Sequence, residues 1–177
     1  MEEKIDVTIR GVAPLLMNRF TGEDSTKIKK LKTSYDPMED AENSLYRDEK
    51  GRLCQLATHI EGSIIKSATQ FKMKGKKTFK DAVKAGVFVE PELIPHKIQE
   101  WTIDTRPAVV QRSRVMRSRG RLDKWELDFT MNITDERLTP EIMKEILVNA
   151  GKFVGIGDFR PRFGRFEVVK FDVRKNG

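Results

Sequence analysis

The segment from residue 151 to residue 166, GKFVGIGDFRPRFGRF, combines glycine, arginine and phenylalanine. Arginine donates to phosphate through a planar guanidinium, phenylalanine stacks on bases, and glycine lets another chain approach the backbone. This composition predicts a surface for single-stranded nucleic acid. The candidate binding residues in this segment are Gly155, Gly157, Phe159, Arg160, Arg162, Phe163 and Arg165. We call residues 155 to 165 the Gly-Arg loop.

The order of elements around the Gly-Arg loop excludes a nucleotide-cofactor motif. Phosphate-binding glycine loops run from a strand into a helix, whose N-terminus holds the phosphate. Here a predicted helix precedes the loop and a predicted strand follows it. An alternative is a glycine-rich turn whose phenylalanines pack into the core. That reading explains the glycines and Phe159 equally well, but it does not explain three arginines within six residues.

A second arginine-rich segment, VVQRSRVMRSRGR, contains no acidic residue. It lies between two strand-like stretches, which predicts an arginine-rich β-hairpin arm that projects from a sheet and lies along a phosphate backbone. Val115 or Met116 would then insert between bases. The alternative is a solvated charged face or a flexible tail. The candidate binding residues of this arm are Arg112, Arg114, Met116, Arg117 and Arg119.

The elements that must position these segments follow from periodicity and capping signals. Residues 4 to 10 and 125 to 133 alternate between apolar and polar side chains, which predicts two half-buried strands. Thr58 and Glu61 form a capping box for a helix that runs to about residue 74, before the lysine-rich KMKGKK. Thr139 and Pro140 begin another helix, which Gly151 ends in the left-handed conformation.

Shorter signals complete the order of elements. A short helix is predicted over residues 79 to 85, strands over 87 to 89 and 166 to 173, and an extended stretch over 98 to 110. The resulting order, strand-helix-strand twice, predicts an α+β fold of the ferredoxin-like βαββαβ type. The chain is interpreted as one domain over residues 1–177, with insertions at about 18–57 and 91–124.

Composition limits the class of protein. The 177-residue chain has a formal net charge of +7 and a pI near 9.5, which predicts an anionic partner. Cys54 is the only cysteine, so an internal disulfide is excluded and a reducing compartment is favoured. No apolar signal segment or membrane-length run occurs, which predicts a cytoplasmic protein without membrane contact. No cofactor is predicted.

Three separated segments resemble the RAMP superfamily, the backbone subunits that hold guide RNA in CRISPR effector complexes. The first is VTIRGVAPLLM, similar to the apolar, proline-containing turn that ends the family's first strand. The second is LYRDEKGRLCQLATHIEGSIIKSA, and the third is the glycine-rich VGIGDFRPRFGRFEV before the last strand. The matching positions of the second segment are Arg47, Asp48, Gly51, Ile60, Gly62, Ser63 and Lys66.

This resemblance implies an RRM-like, ferredoxin-type core and a role in holding single-stranded RNA. It implies that Ser63 and Lys66 face the guide backbone, that the Gly-Arg loop lines the same groove, and that residues 111 to 121 form a thumb hairpin that separates bases at intervals. It also implies head-to-tail self-association into a helical filament, with other effector-complex subunits as further partners. A stand-alone relative from a phage or mobile element fits the same resemblance.

Other functions stay open from the sequence. Single-stranded DNA is a rival ligand, as in phage or mobile-element replication and recombination, because rings and arginines accept either sugar. In some relatives an aspartate after the first strand cleaves RNA, and Asp24, then Asp36, occupies that place. A metal-dependent endoribonuclease would use such carboxylates, although acids that merely solvate a polar loop are favoured. A protein-assembly module that binds an acidic partner is a further alternative.

Overall fold

The computed structural model describes residues 3–20, 35–110 and 112–174. These residues form an α+β architecture with antiparallel sheets of four, three and two strands. The strands are β1 (Glu3–Gly11), β2 (Leu15–Leu16), β3 (Cys54–Leu56), β4 (Val87–Glu90), β5 (Leu93–Pro95), β6 (Thr102–Val110), β7 (Ser113–Leu122), β8 (Glu126–Ile133) and β9 (Phe166–Val173). The helices are α1 (Pro37–Asn43), α2 (Ala57–Ala68), α3 (Lys80–Gly86) and α4 (Pro140–Asn149), and a π-helical turn (Ala150–Val154) follows α4.

The four-stranded sheet has the order β4-β8-β1-β9. In this sheet β1 lies between its two partners, so that Val7 is opposite both Phe129 of β8 and Phe171 of β9. The alternation predicted for residues 4 to 10 and 125 to 133 is therefore confirmed, since the apolar positions of both strands are buried.

Helices α2 and α4 cover the apolar side of this sheet. Ile60 and Ile64 of α2 share one buried cluster with Ile146 of α4 and with the strand residues. A hydrogen bond also joins the helices, because the Ser67 hydroxyl donates to the Ile146 carbonyl oxygen over 2.7 Å. The core thus fixes both helices against the sheet. Among the described residues, no helix combines the length and apolar character that crossing a membrane would require.

The opposite side of the sheet carries paired charges. Arg174 donates to the Asp6 carboxylate over 2.8 Å, and Lys97 contacts both Glu126 and Asp128 at 2.6 and 2.8 Å. These carboxylates have lowered pKa values because their cationic partners stabilise the charged form. Since cations and acids alternate there, this face does not present a uniformly basic surface.

The three-stranded sheet contains the β6–β7 hairpin, with β2 at its edge. Helix α1 packs on one face of the hairpin, where Asp40 accepts from the Ser118 backbone N–H at 2.6 Å and the Ser44 hydroxyl accepts from the Gly120 N–H at 2.8 Å. The predicted extended stretch at 98–110 is therefore β6. The insertion predicted at about residues 18–57 includes α1, which packs against the hairpin.

Helix α2 begins and ends earlier than predicted. Its first residue is Ala57, and Leu56 at the N-cap makes no side-chain cap. The predicted capping box is wrong because Glu61 instead accepts from the backbone N–H of Val89 at 2.9 Å. The helix ends at Ala68, before the lysine-rich segment. The carboxylate of Glu61 therefore bonds to β4, whereas the sequence pattern predicted that it would cap its own helix.

The end of α4 also differs from the prediction. Gly151 does not adopt the left-handed conformation, and the chain continues through the π-helical turn. The left-handed residue is Gly155, with φ of 74°, whose N–H donates to Ala150 over 2.8 Å. Gly151 is required for a different reason, since a Cβ there would lie 2.2 Å from the carbonyl oxygen of Phe166.

Candidate nucleic-acid interface

Backbone hydrogen bonds hold the Gly-Arg loop against the chain that follows β1. The Gly164 N–H donates to Pro14 at 2.8 Å, and the Asp158 N–H donates to Leu16 at 2.9 Å. Gly164 has a φ of 74°, and a Cβ there would lie 1.7 Å from the Ile156 carbonyl oxygen. Only glycine fits this crossing of the loop on itself. The loop is therefore a defined structure and not an extended linker.

The Gly-Arg loop forms one wall of a cleft of about 270 Å³. The N-terminal half of α2 and the chain at the end of β2 also line this cleft. The side chains and backbone that line this cleft belong to Leu16, Met17, Asn18, Tyr46, Gln55, Thr58, His59, Gly62, Gly157, Asp158 and Arg160. Four segments that are separate in the sequence thus meet in one concave surface, a common form for a ligand site.

His59 contacts two other residues that line this cleft, Gln55 and Tyr46. The side-chain amide nitrogen of Gln55 lies within hydrogen-bond distance of His59 Nδ1, at 2.5 Å. The Tyr46 ring meets the imidazole edge to face, with centroids 5.2 Å apart. Burial and then the charge of Arg160 lower the pKa of His59 and so favour the neutral imidazole.

The arginines of the Gly-Arg loop extend into solvent. Arg160, Arg162 and Arg165 are all exposed. Within the described residues, none of the three forms an ion pair with a carboxylate. Their guanidinium groups are thus available for an anionic ligand, and Arg160 directly lines the cleft.

Two other arginines lie between the β6–β7 hairpin and the Gly-Arg loop, Arg119 buried and Arg106 partly exposed. Arg119 is only 7% exposed, and its Nε lies 2.5 Å from Asp158 Oδ2. Its guanidinium lies 4.9 Å from the centroid of Phe159, while that of Arg106 lies 4.6 Å from the centroid of Phe163. These cation–π contacts join the two segments that the sequence assigned separately to nucleic acid.

This packing distinguishes the two phenylalanines. Phe163 is buried, with 6% exposure, whereas Phe159 keeps 42% of its surface exposed. Phe159 therefore has ring surface available for a base, and Phe163 supports the loop from inside. Asp104 completes the layer by accepting from Arg106 at 2.5 Å and from Arg121 at 3.2 Å, and both arginines lower its pKa.

The far end of the hairpin is exposed. Arg112 and Arg114 face solvent, and Met116 is 49% exposed. The register places Arg114 opposite Val109 and Met116 opposite Pro107, so Arg114 and Met116 lie on one face. Arg117 lies on the other face, where its guanidinium is 3.6 Å from the Asp40 carboxylate. Arg112 has a φ of 68° in the turn.

The two residues assigned to α2 are three positions apart in that helix and differ in burial. Lys66 is exposed, whereas Ser63 is fully buried and its hydroxyl has no hydrogen-bond partner among the described residues. The position of Ser63 differs from the expected contact with a guide backbone, because the hydroxyl faces the core where α2 packs. Gly62, the residue before it, lines the cleft instead.

Of the two candidate catalytic carboxylates, the structure describes only Asp36. Asp24 lies outside the described residues. Asp36 is the N-cap of α1, where its carboxylate accepts from the N–H groups of Met38 and Glu39 at 2.9 and 3.4 Å. Across residues 3–20, 35–110 and 112–174, no three acidic, histidine or cysteine side chains are grouped so as to hold a metal ion.

The sequence did not predict the contacts between side chains inside this interface. Gln55, Tyr46 and Arg106 carry no local signal for a cleft, because their contacts depend on elements far away in the chain. Asp158 had a signal, since it is the only acidic residue of the Gly-Arg loop. A single acid within a basic loop indicates an internal ion pair.

Comparisons with known proteins give a similarity of fold. No protein-family model matches this chain, and no curated protein sequence matches it. Among solved structures, a chain of the cryo-EM structure of the Type III-B Cmr-beta bound to cognate target RNA is similar, with a TM-score of 0.60 and 13% sequence identity. The match covers 98% of this chain and 61% of that chain. This chain therefore spans about three fifths of the length of the protein it resembles.

Proposed function

We propose that this chain binds single-stranded RNA without cleaving it, as a RAMP-like backbone subunit of a CRISPR-type effector complex or as a stand-alone relative. The observation that carries the proposal is the cleft between the Gly-Arg loop and α2, which exposed Arg160 lines. Phosphates would contact the arginines of the loop and of the hairpin end, and bases would stack on Phe159.

The fold supports this proposal. The sheet order is β4-β8-β1-β9, with α2 between β1 and β4 and α4 between β8 and β9 in the chain. This order supports our assignment of the chain to a ferredoxin-like βαββαβ core. We assign the β6–β7 hairpin as the thumb-like insertion. The similar solved chain belongs to a structure bound to target RNA, which favours RNA over DNA as the ligand.

Five exposed arginines define the proposed phosphate-binding set: Arg112, Arg114, Arg160, Arg162 and Arg165. Arg119 is not in this set because Asp158 already neutralises it in the interior. Five phosphate contacts give an expected log-log dependence of affinity on salt with a slope of about −3.5 for a single strand. Arrangement of several copies head to tail along one strand is part of the proposal.

Fluorescence anisotropy of the nuclease-treated protein tests the ligand. One sequence is prepared as single-stranded RNA, single-stranded DNA and duplex DNA, and each is titrated at several salt concentrations. We expect tightest binding to single-stranded RNA, weakening with salt. Equal or tighter binding to single-stranded DNA would contradict the RNA assignment and favour a function in replication or recombination. An affinity that does not change with salt would contradict the electrostatic mechanism.

A charge-matched pair of variants tests the site. Arg160→Gln with Arg162→Gln removes two proposed contacts, so the slope should become less steep by about 1.4. The control variant is Arg137→Gln with Arg174→Gln, which removes the same charge from exposed ion pairs away from the cleft. Equal weakening in both variants would show that bulk charge alone attracts the strand. Negative-stain images with long RNA test the proposed assembly.

A further inference from the structure

Residues 71 to 79 form a compact lysine-rich turn after α2, which we call the lysine turn. Its backbone is ordered by hydrogen bonds from Met73 N–H to Lys77 over 2.9 Å and from Phe79 N–H to Phe71 over 3.0 Å. Gly75, with a φ of 85°, occupies the tip. Phe71 and Phe79 pack against the core cluster, so the turn has a fixed base. The lysines thus have a defined position on the surface.

The lysine turn concentrates positive charge with no local compensation. The exposed lysines of the turn are Lys72, Lys74, Lys76 and Lys77, and no acidic residue occurs between Thr69 and Thr78. Lys80, which is also exposed, follows at the first position of α3. Within the described part of the chain, none of these lysines forms an ion pair with a carboxylate. Most other cations near the hairpin and on the open face of the sheet are paired with carboxylates. This contrast marks the turn as a surface for an external anion.

The surface of α2 connects the lysine turn to the cleft. Thr58 and Gly62 line the cleft, and Lys66 lies one helical turn further along the same exposed face. A Cβ built at Gly62 would have no heavy atom within 4 Å, so this face is open and allows close approach. The face continues through exposed Gln70 into the lysine turn.

We propose that the lysine turn is a second phosphate-binding surface, which holds the part of a single-stranded nucleic acid that leaves the cleft along α2. The proposal rests on the proposed function. Because α2 has 12 residues, it is about 18 Å long. At a rise of about 3.4 Å per nucleotide, a stacked strand covers this distance with about five nucleotides.

The residue types fit different tasks at the two surfaces. Arginine at the cleft donates in a planar geometry that suits fixed contacts beside bases, whereas lysine carries a hydrated point charge on a flexible stem. The lysine turn offers four such cations and no exposed ring. It is therefore suited to hold phosphate irrespective of base sequence, and its contribution should depend on strand length and salt.

The test compares strand lengths in three proteins. Single-stranded oligonucleotides of about 6 and about 15 nucleotides are titrated by anisotropy at several salt concentrations. The first variant is Lys74→Gln, Lys76→Gln and Lys77→Gln. The matched control carries Lys50→Gln, Lys144→Gln and Lys170→Gln, which removes the same charge from other parts of the surface. The third protein is the Arg160→Gln, Arg162→Gln variant.

We expect the lysine-turn variant to bind the short strand like the wild type and to lose affinity for the long strand, with a salt slope less steep by about 2. The control variant should bind the short and the long strand like the wild type. If the lysine-turn variant and the control weaken long-strand binding equally, the proposal is overturned while the cleft stands. If the arginine variant binds like the wild type and only the lysine-turn variant is impaired, the cleft assignment fails. An absence of binding in the wild-type protein would overturn both.

Discussion

Arg119 and Asp158 form an ion pair, with 2.5 Å between Nε and Oδ2, that joins the β6–β7 hairpin to the Gly-Arg loop. The arginine is almost completely enclosed, and its guanidinium also covers the Phe159 ring. The same segment that extends Arg112 and Arg114 into solvent therefore uses Arg119 for internal structure. The pair fixes the relative position of two surfaces that we propose contact the same strand.

Removing one partner of this pair should destabilise the protein. Arg119→Met and Asp158→Asn should each lower the free energy of unfolding by about 2 kcal/mol, because each leaves a poorly solvated charge without its partner. The double variant should lose less than the sum of the two. Urea unfolding measures these values. The control is Arg137→Met, which removes an exposed arginine from its ion pair with Asp135 and should change stability far less. Additive losses would contradict a direct interaction.

Gly164 should tolerate no side chain, in contrast to a second glycine of nearly the same conformation. Gly164→Ala should cost about 3 kcal/mol or more, because the new Cβ would lie 1.7 Å from the Ile156 carbonyl oxygen. Gly51 has a similar φ of 76° but no heavy atom within 4 Å, so Gly51→Ala should cost only about 1 kcal/mol. Thermal unfolding of both variants checks the difference. Similar losses would show that backbone strain, and not the crossing of the loop, requires glycine.

Gly62 offers a way to separate stability from binding. Gly62→Ala should raise the free energy of unfolding by about 0.5 to 1 kcal/mol, since alanine favours a helix and the site is open. Gly62→Phe should weaken strand binding by filling the cleft, while the protein stays folded. Anisotropy and circular dichroism on the two variants test this prediction. Undiminished binding by Gly62→Phe would place the strand elsewhere.

His96 should make the protein less stable at mildly acidic pH. The ring is 3% exposed, packs edge to face on Trp125, and burial lowers its pKa to about 4. Because His96 binds a proton below pH 6.5 in the unfolded chain but not in the folded one, its contribution to stability falls from that pH down to about pH 4 and then levels off.

The size of this effect follows from the same pKa values. Between pH 7 and pH 5 the loss should be about 2 kcal/mol, measured by urea unfolding. His96→Leu should remove most of this dependence, and a small part should remain because the pKa of His59 is also lowered. An unchanged pH profile in His96→Leu would assign the acid sensitivity to other groups.

The sequence alone determined the periodic elements and the exposed charge. Alternation in residues 4 to 10 and 125 to 133 predicted β1 and β8, because side chains on a strand alternate between core and solvent. The cap at Thr139 is confirmed, since its hydroxyl accepts from Ile142. The order of helix, Gly-Arg loop and strand was also predicted correctly. These features depend on residues close together in the chain.

Only the tertiary structure decided which arginines are buried and which carboxylates bond to other parts of the chain. Arg119 and Arg114 look alike in the sequence, but strand pairing places Arg119 beside the Gly-Arg loop and Arg114 near the free end of the hairpin. Glu61 bonds to β4 and not to its own helix for the same reason. Local periodicity specifies which way a side chain points, whereas its partner belongs to an element distant in the chain, and chain folding alone brings the two together.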